Sequence, residues 1–279
     1  MRWTGRAAAI GAALLAWVGQ ASAAPTETVS LTLPRDVFKS AQVGAMPENV
    51  AVEDVSLEID LSNFSKPRIE PFGIKHLRQM LTPELAKNFD LFLYISKAAH
   101  GPYAQHMYVL RKNAEGKFDL LYDWSVSTGR ERSERNALGI ERFTATLSGY
   151  YELDPDRMFA DYRSVTWDEP MPHAMFFDAW YKGARVGLAI HATDEKENLG
   201  TRASAGCVRL SSKNAKDLFQ LVSAHYRGNV PRMAYDKETK STRRDGALMR
   251  DPNGKLAFHA GYRVLVIIEN FGGAEVATQ

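Results

Sequence analysis

The chain predicts a mainly β fold, a β-rich α+β sandwich or barrel with one helix packed on it, and three observations carry that expectation. From Phe89 onward short apolar runs alternate with turn residues, which is how the strands of a sheet-rich domain are punctuated. One helical segment stands out, Lys213 to Val222, with Ser211 and Ser212 in position to cap it and Leu218, Leu221 and Val222 on one face. Near the end, Tyr262-Arg263-Val264-Leu265-Val266-Ile267-Ile268 is apolar and β-branched, as a central strand should be.

In chain order, Arg2 and Arg6 precede an apolar run from Ala7 to Val18, and Ala21-Ser22-Ala23 supplies small residues of the kind signal peptidase accepts. Residues 1–23 are therefore expected to be a cleaved export signal. Residues 24–88 read as an N-terminal extension, with a short strand near Ser30 to Pro34 and a helical rhythm in Phe72, Ile74, Leu77 and Leu81. A single domain over 89–270 follows. Its strands are expected at Leu91–Ile95, Met107–Leu110, Phe118–Tyr122, Trp124–Gly129, Gly139–Ala145, Gly149–Leu153, Ala174–Phe177 and Gly187–His191. Asp236 to Gly254 is polar and rich in Arg and Lys, a surface loop, a hairpin or a flap over a site, and 271–279 is a tail.

Composition narrows the function class. With 45% hydrophobic residues and a net charge of +2, the chain is neither a disordered tail nor a strongly basic nucleic-acid binder. No apolar stretch reaches the roughly 20 residues of a membrane-spanning helix. The single cysteine, Cys207, cannot form an internal disulfide or a thiolate-rich metal site. It is either an inert buried thiol or a nucleophile.

The neighbours of Cys207 bear on that choice. Ser204-Ala205-Gly206-Cys207-Val208-Arg209-Leu210 places the thiol after a Gly, where the backbone can take unusual φ values and turn N–H groups toward a developing oxyanion. His191 closes the strand that begins at Gly187, and an imidazole near a thiol acts as its base or forms a thiolate–imidazolium pair. Residue types alone leave a Cys/His pair and an unrelated structural Cys equally open. The remaining histidines show no metal-ligand spacing such as His-x-x-x-His, so no metal site is expected.

The ordered segments Gly187-Leu188-Ala189-Ile190-His191-Ala192-Thr193, Ser204 to Leu210 and Asn214-Ala215-Lys216-Asp217-Leu218-Phe219 together resemble the L,D-transpeptidase (YkuD-type) catalytic domain. Weaker similarity extends through Val126–Gly129, Met171–Phe177 and Val264–Ile268, so the resemblance covers about 89–270. It implies that Cys207 is the nucleophile and His191 the base, with the N–H groups around Gly206 and Cys207 as oxyanion donors and Ser204 holding that loop or meeting a substrate carboxylate. It further implies that Arg209, His173 and Met171 meet substrate, with Arg209 alternatively fixing the Cys loop by a salt bridge. If His191 holds a thiolate, its loss should raise the Cys207 pKa toward the roughly 8.5 of a free thiol.

Two departures stand out, Ala205 where the family often has His, and Asn136-Ala137-Leu138-Gly139 where it often has Thr-Pro-x-Gly. The implied reaction is periplasmic cross-linking of peptidoglycan stem peptides, donor and acceptor alike, through a Cys thioester on diaminopimelate with release of D-alanine, in 3-3 or 1-3 links. No cofactor is expected, carbapenem-type inhibitors are expected to acylate the thiol, and neither nucleic acid nor stable membrane insertion is expected. The rival readings are a non-catalytic wall-binding protein, an L,D-carboxypeptidase or hydrolase of the same fold, and a cysteine peptidase.

Overall fold

The computed structural model describes residues 71–272, together with the backbone of two short strands nearer the N-terminus. The expected export signal and nearly all of the expected tail lie outside the described residues. In the first of two compact units, spanning 1–69, Val29–Leu31 pairs antiparallel with Leu57–Ile59. The second unit begins at Glu70, well before the expected domain start at residue 89. Its helices α1 (Phe72–Met80) and α2 (Pro83–Asn88) explain the difference. They bury Ile74, Leu77 and Leu85 against Phe92, Leu110 and Leu265 of the sheet, so they belong to this core.

The sheet has eight strands: β1 (Leu91–Ser96), β2 (His106–Lys112), β3 (Phe118–Ser125), β4 (Gly149–Phe159), β5 (Ala174–Phe177), β6 (Ala189–Thr193), β7 (Val208–Ser211) and β8 (Val264–Glu269). Their spatial order is β7-β6-β5-β4-β8-β1-β2-β3. Neighbours run antiparallel except β6 with β7 and β8 with β1, which are parallel. The β-branched run at the C-terminus is central as expected, because β8 sits between β4 and β1 and buries residues on both faces.

Side chains alternate across a strand, so each strand feeds two layers. On one face Leu91, Leu93, Met107, Val109, Tyr151, Leu153, Met175, Phe177, Ile190, Val208, Val264 and Val266 form one continuous cluster. Helix α3 (Ser212–His225) packs Ala215, Leu218 and Val222 into it. Ser211 is the cap, its hydroxyl accepting from the Asn214 N–H at 3.2 Å. The other face is interrupted. An apolar cluster under α1 and α2 covers one half of the sheet, and a separate small cluster of Met171, Ala174, Phe176, Ala189 and Cys207 covers the other.

Several short pairings escape sequence patterns because they join distant segments, as Thr128–Gly129 does with Arg202–Ser204 and Arg227–Pro231 with Phe258–Tyr262. The segment from Asp236 to Gly254 is a ladder of small turns that buries Leu248 in the α1/α2 cluster. It does not line the cleft at Cys207, so it is no flap over that site. Among the described residues no helix is long and apolar enough to cross a membrane.

Candidate active site

The parallel register of β6 and β7 sets His191 opposite Arg209 and Ile190 opposite Val208. Cross-strand partners share a face and alternate residues along a strand share a face. Cys207, Arg209, Ala189 and His191 are thus on the interrupted face, with Val208 and Ile190 turned into the continuous core. Two residues far apart in the chain become diagonal neighbours on adjacent strands.

The loop before Cys207 is tied from three sides. Ser204 Oγ donates to the Cys207 carbonyl at 2.5 Å and accepts the Gly206 N–H at 3.0 Å. Thr146 Oγ1 donates to the Gly206 carbonyl at 2.6 Å and accepts the Gly129 N–H at 2.8 Å. Gly206 has φ +129°, and a Cβ there would lie 2.9 Å from the Ala145 carbonyl oxygen, so no other residue fits without strain. Behind the loop, buried Glu131 accepts from Lys97 at 3.0 Å and from Arg202 at 2.6 Å.

These bonds separate the two expected oxyanion candidates, the N–H groups of Gly206 and Cys207. The Gly206 N–H is already spent on Ser204, whereas among the described residues the Cys207 N–H donates to nothing and is the available donor. Ser204 holds the loop, as one of its two expected roles required.

His191 is 3% exposed, and its Nδ1–H donates to the Ala192 carbonyl at 2.7 Å. A carbonyl only accepts, so the proton sits on Nδ1 and Nε2 keeps its lone pair. Burial pushes the imidazole down to about 4, the Arg209 guanidinium adds to that, and the Ala192 carbonyl opposes it. Cys207 is partly exposed where the cleft reaches it, yet enough protein surrounds the sulfur that burial pushes the thiol up to about 11. The Ala189 N–H and Arg209 only partly offset that push. The resting pair is therefore neutral thiol and neutral imidazole. Burial disfavours both ions before substrate arrives, which favours, of the two roles open to His191, the base over the holder of a standing thiolate.

The cleft over this pair has a volume of about 330 Å³. A hairpin, Arg163–Ser164 with Glu169–Pro170, walls one side with Tyr162, Val165, Trp167 and Met171. A second hairpin, Ser133–Arg135 with Glu141–Phe143, supplies Arg142 and Phe143. Asn136 builds its turn, with Oδ1 accepting the N–H groups of Leu138 and Ile140 at 3.0 and 2.9 Å. The Ala137 N–H donates to the Thr166 carbonyl at 3.0 Å, tying the two hairpins together.

The model of the YkuD family, the L,D-transpeptidase catalytic domain, matches residues 94–230. Residues 94–230 are an L,D-transpeptidase catalytic domain. A search of curated protein sequences finds no match. Among solved structures, the chain is similar to an L,D-transpeptidase of Xylanimonas cellulosilytica at 15% identity and a TM-score of 0.36, over 72% of this chain and 71% of that one. It is similar to an L,D-transpeptidase from Mycobacterium smegmatis at 11% identity and a TM-score of 0.36, over 65% of this chain and 59% of that one. The L,D-transpeptidase LdtMt1, solved in complex with imipenem, is similar at 13% identity and a TM-score of 0.35, over 65% and 59%. The chain thus spans about three fifths of the length of the latter two, and at these identities no residue role transfers.

Within the L,D-transpeptidase domain, Met171 and Arg209 line the cleft, whereas His173 does not. His173 has φ +57° and turns its ring toward Phe219 of α3 at 5.6 Å, away from the cleft. Arg209 is 4% exposed, pairs with Glu195 at 2.9 Å and also with Glu169. With both terminal nitrogens held by carboxylates, its position favours the expected salt-bridge role over contact with a substrate carboxylate. Arg142 is the cation the sequence reading missed. It is exposed at the cleft rim with no ion pair among the described residues, and nothing local in Glu141-Arg142-Phe143 distinguishes it from the other basic residues.

One group of metal-type donors, Glu152, Asp178 and His259, comes within 4.8 Å, which spacing along the chain did not suggest. It lies outside the cleft, and Glu152 is already held by His259 and the Met233 N–H.

Proposed function

We propose that this L,D-transpeptidase domain performs acyl transfer through a thioester on Cys207. The observation that carries the reading is the parallel β6/β7 register, which sets thiol and imidazole on one face at the floor of the cleft. The donor is a peptidoglycan stem peptide whose diaminopimelate carboxylate meets Arg142, with its acyl group between Met171 and the Cys207 N–H. Sulfur attacks the carbonyl preceding the terminal D-alanine as its proton passes to His191 Nε2. Because neither ion is stable in the resting cleft, transfer and attack are coupled. The oxyanion is held by the Cys207 N–H, and the imidazolium returns the proton to the leaving amine of D-alanine. An acceptor then resolves the thioester. With export to the periplasm, the product is a cross-link of the 3-3 or 1-3 type.

Carbapenems offer a strained carbonyl to the same thiol and are proposed to acylate it. The test is intact-mass spectrometry of the full chain with a tetrapeptide donor and with a carbapenem. Each should add one acyl mass that disappears in Cys207→Ala. An adduct that persists in that variant places the nucleophile elsewhere, and no adduct in either protein, with full complementation of cells by Cys207→Ala, favours a non-catalytic use of the fold.

A further inference from the structure

Three consecutive peptide units run through the Cys207 loop, and each is held by a side-chain hydroxyl. Ser204 holds the outer two: its Oγ accepts the Gly206 N–H at 3.0 Å and donates to the Cys207 carbonyl at 2.5 Å. The middle unit joins the Gly206 carbonyl to the Cys207 N–H, and among the described residues it is held only by Thr146, whose Oγ1 donates to the Gly206 carbonyl at 2.6 Å. No cis peptide bond occurs among the described residues, so this C=O and this N–H point in opposite directions across one plane. Fixing the carbonyl therefore fixes the direction of the N–H. The bond matters here because Gly206, at φ +129°, has no Cβ to hinder rotation of the unit.

The direction of the Thr146 proton is itself determined. Thr146 is fully buried, and its Oγ1 accepts the Gly129 N–H at 2.8 Å, which leaves its proton for the Gly206 carbonyl. Gly129 comes this close because it has no side chain, since a Cβ there would lie 2.7 Å from the Thr146 nitrogen. Its own place is set by parallel pairing with Ser204, the residue that braces the loop. The Gly129 N–H, the Thr146 hydroxyl and the Gly206–Cys207 peptide thus form a chain of aligned dipoles, in which each bond polarises the next. Its far end is the Cys207 N–H, which donates to nothing among the described residues.

We propose that Thr146 is a positioning residue for acyl transfer, aiming and polarising the Cys207 N–H that meets the oxyanion. The proposal rests on the thioester reading above. As sulfur bonds to the donor carbonyl carbon, the π pair of that carbonyl moves onto its oxygen, and a preset N–H meets the charge without reorganising. Thr146 does not line the cleft, so it acts through the peptide between them.

Acylation and alkylation of the same thiol separate this role from simple support. Attack on a carbonyl develops an oxyanion, whereas displacement of iodide from iodoacetamide does not. Time-resolved intact-mass spectrometry of the full chain follows both at one pH, with a stem tetrapeptide and a carbapenem as acyl donors. Thr146→Val keeps the shape and removes the hydroxyl. Its saturating acylation rate should fall about 10- to 100-fold, less than the loss of an oxyanion donor outright. The half-saturating donor concentration and the alkylation rate should not change. Thr146→Ser, which keeps the hydroxyl, should retain the wild-type acylation rate. Thr146→Ala, with no methyl to press on the Gly206 carbonyl, carries the same expectation as the valine variant and replaces it if that one does not fold. An unchanged acylation rate in these variants, an equal fall in alkylation, or a serine variant as slow as the valine one overturns the role of Thr146 and leaves Cys207 the nucleophile. Failure of both the valine and the alanine variant to fold overturns it too, because Thr146 then serves folding. A wild-type protein that forms no adduct on Cys207 overturns the thioester reading, and the positioning role with it.

Discussion

The two faces of the eight-stranded sheet are made from alternate residues of the same strands, yet they differ in kind. Ile190 and Val208 enter a cluster that runs unbroken under α3, whereas their neighbours His191 and Cys207 enter a small apolar patch bordered by charge. The continuous face supplies burial at about 25 cal/mol per Å² of apolar surface, and it holds the strands rigid. The interrupted face is where polar groups are held partly desolvated, at a cost the first face offsets. The lesson is that a period of two lets one segment serve stability and chemistry at once, provided the register does not slip.

The strongest way to break this comparison is Cys207→Ala. It should abolish acyl transfer and leave thermal stability nearly unchanged, because it removes only a sulfur from the cleft side. A large loss of stability with activity retained would reverse the roles of the faces.

His191→Ala should follow, with acyl transfer lowered about 10² to 10⁴-fold, the usual worth of general acid–base catalysis. Alkylation of the thiol at neutral pH should be slow in the wild-type protein and little faster in the variant, since burial, not His191, sets the thiol near 11. His173→Ala, on the core side against Phe219, should leave the pH profile of alkylation unchanged. If it shifts that profile and His191→Ala does not, the assignment of the base is wrong.

On the continuous face the expectation inverts. Leu218→Ala in α3 should cost about 2 to 5 kcal/mol by denaturant unfolding, as large-to-small changes in a packed core do, with turnover per folded molecule retained. Equal damage to turnover would mean that the faces are not separable.

The smallest effect is a pH dependence of stability. The folded-state pKa of His191 is about 4, below the 6.5 of an unfolded histidine, so the unfolded state binds the proton first. Its contribution is present above about 6.5 and is lost as pH falls from there through 4. The melting temperature should drop over that window, and His191→Asn should flatten the drop. An identical slope in the variant would assign the acid sensitivity to other groups.

Much of the sheet was legible because it obeys local rules. Leu91–Ile95, Met107–Leu110 and Ala174–Phe177 are short apolar runs between turn residues, and α3 announces itself by its serine cap and apolar face. The extension of β4 from Leu153 to Phe159 was not legible, because Asp154-Pro155-Asp156 reads as a turn while the structure satisfies Asp154 with Arg157 and Arg185. Nor was the role of α1 and α2, whose apolar positions only acquire meaning once Phe92 and Leu265 are there to receive them.

The candidate site divides in the same way. Composition and local pattern determined that one thiol follows a glycine, precedes a strand and capped helix, and accompanies a histidine at the end of another strand. Those are statements about neighbours in the chain, and local backbone chemistry suffices for them. Tertiary structure alone decided that Arg209 is held by Glu169 and Glu195, that His173 lies against Phe219 and that Arg142, at the cleft rim, has no ion pair among the described residues. Each depends on which distant segment arrives beside it, and hydrogen bonds, ion pairs and desolvation act through space over a few ångströms whatever the separation in sequence.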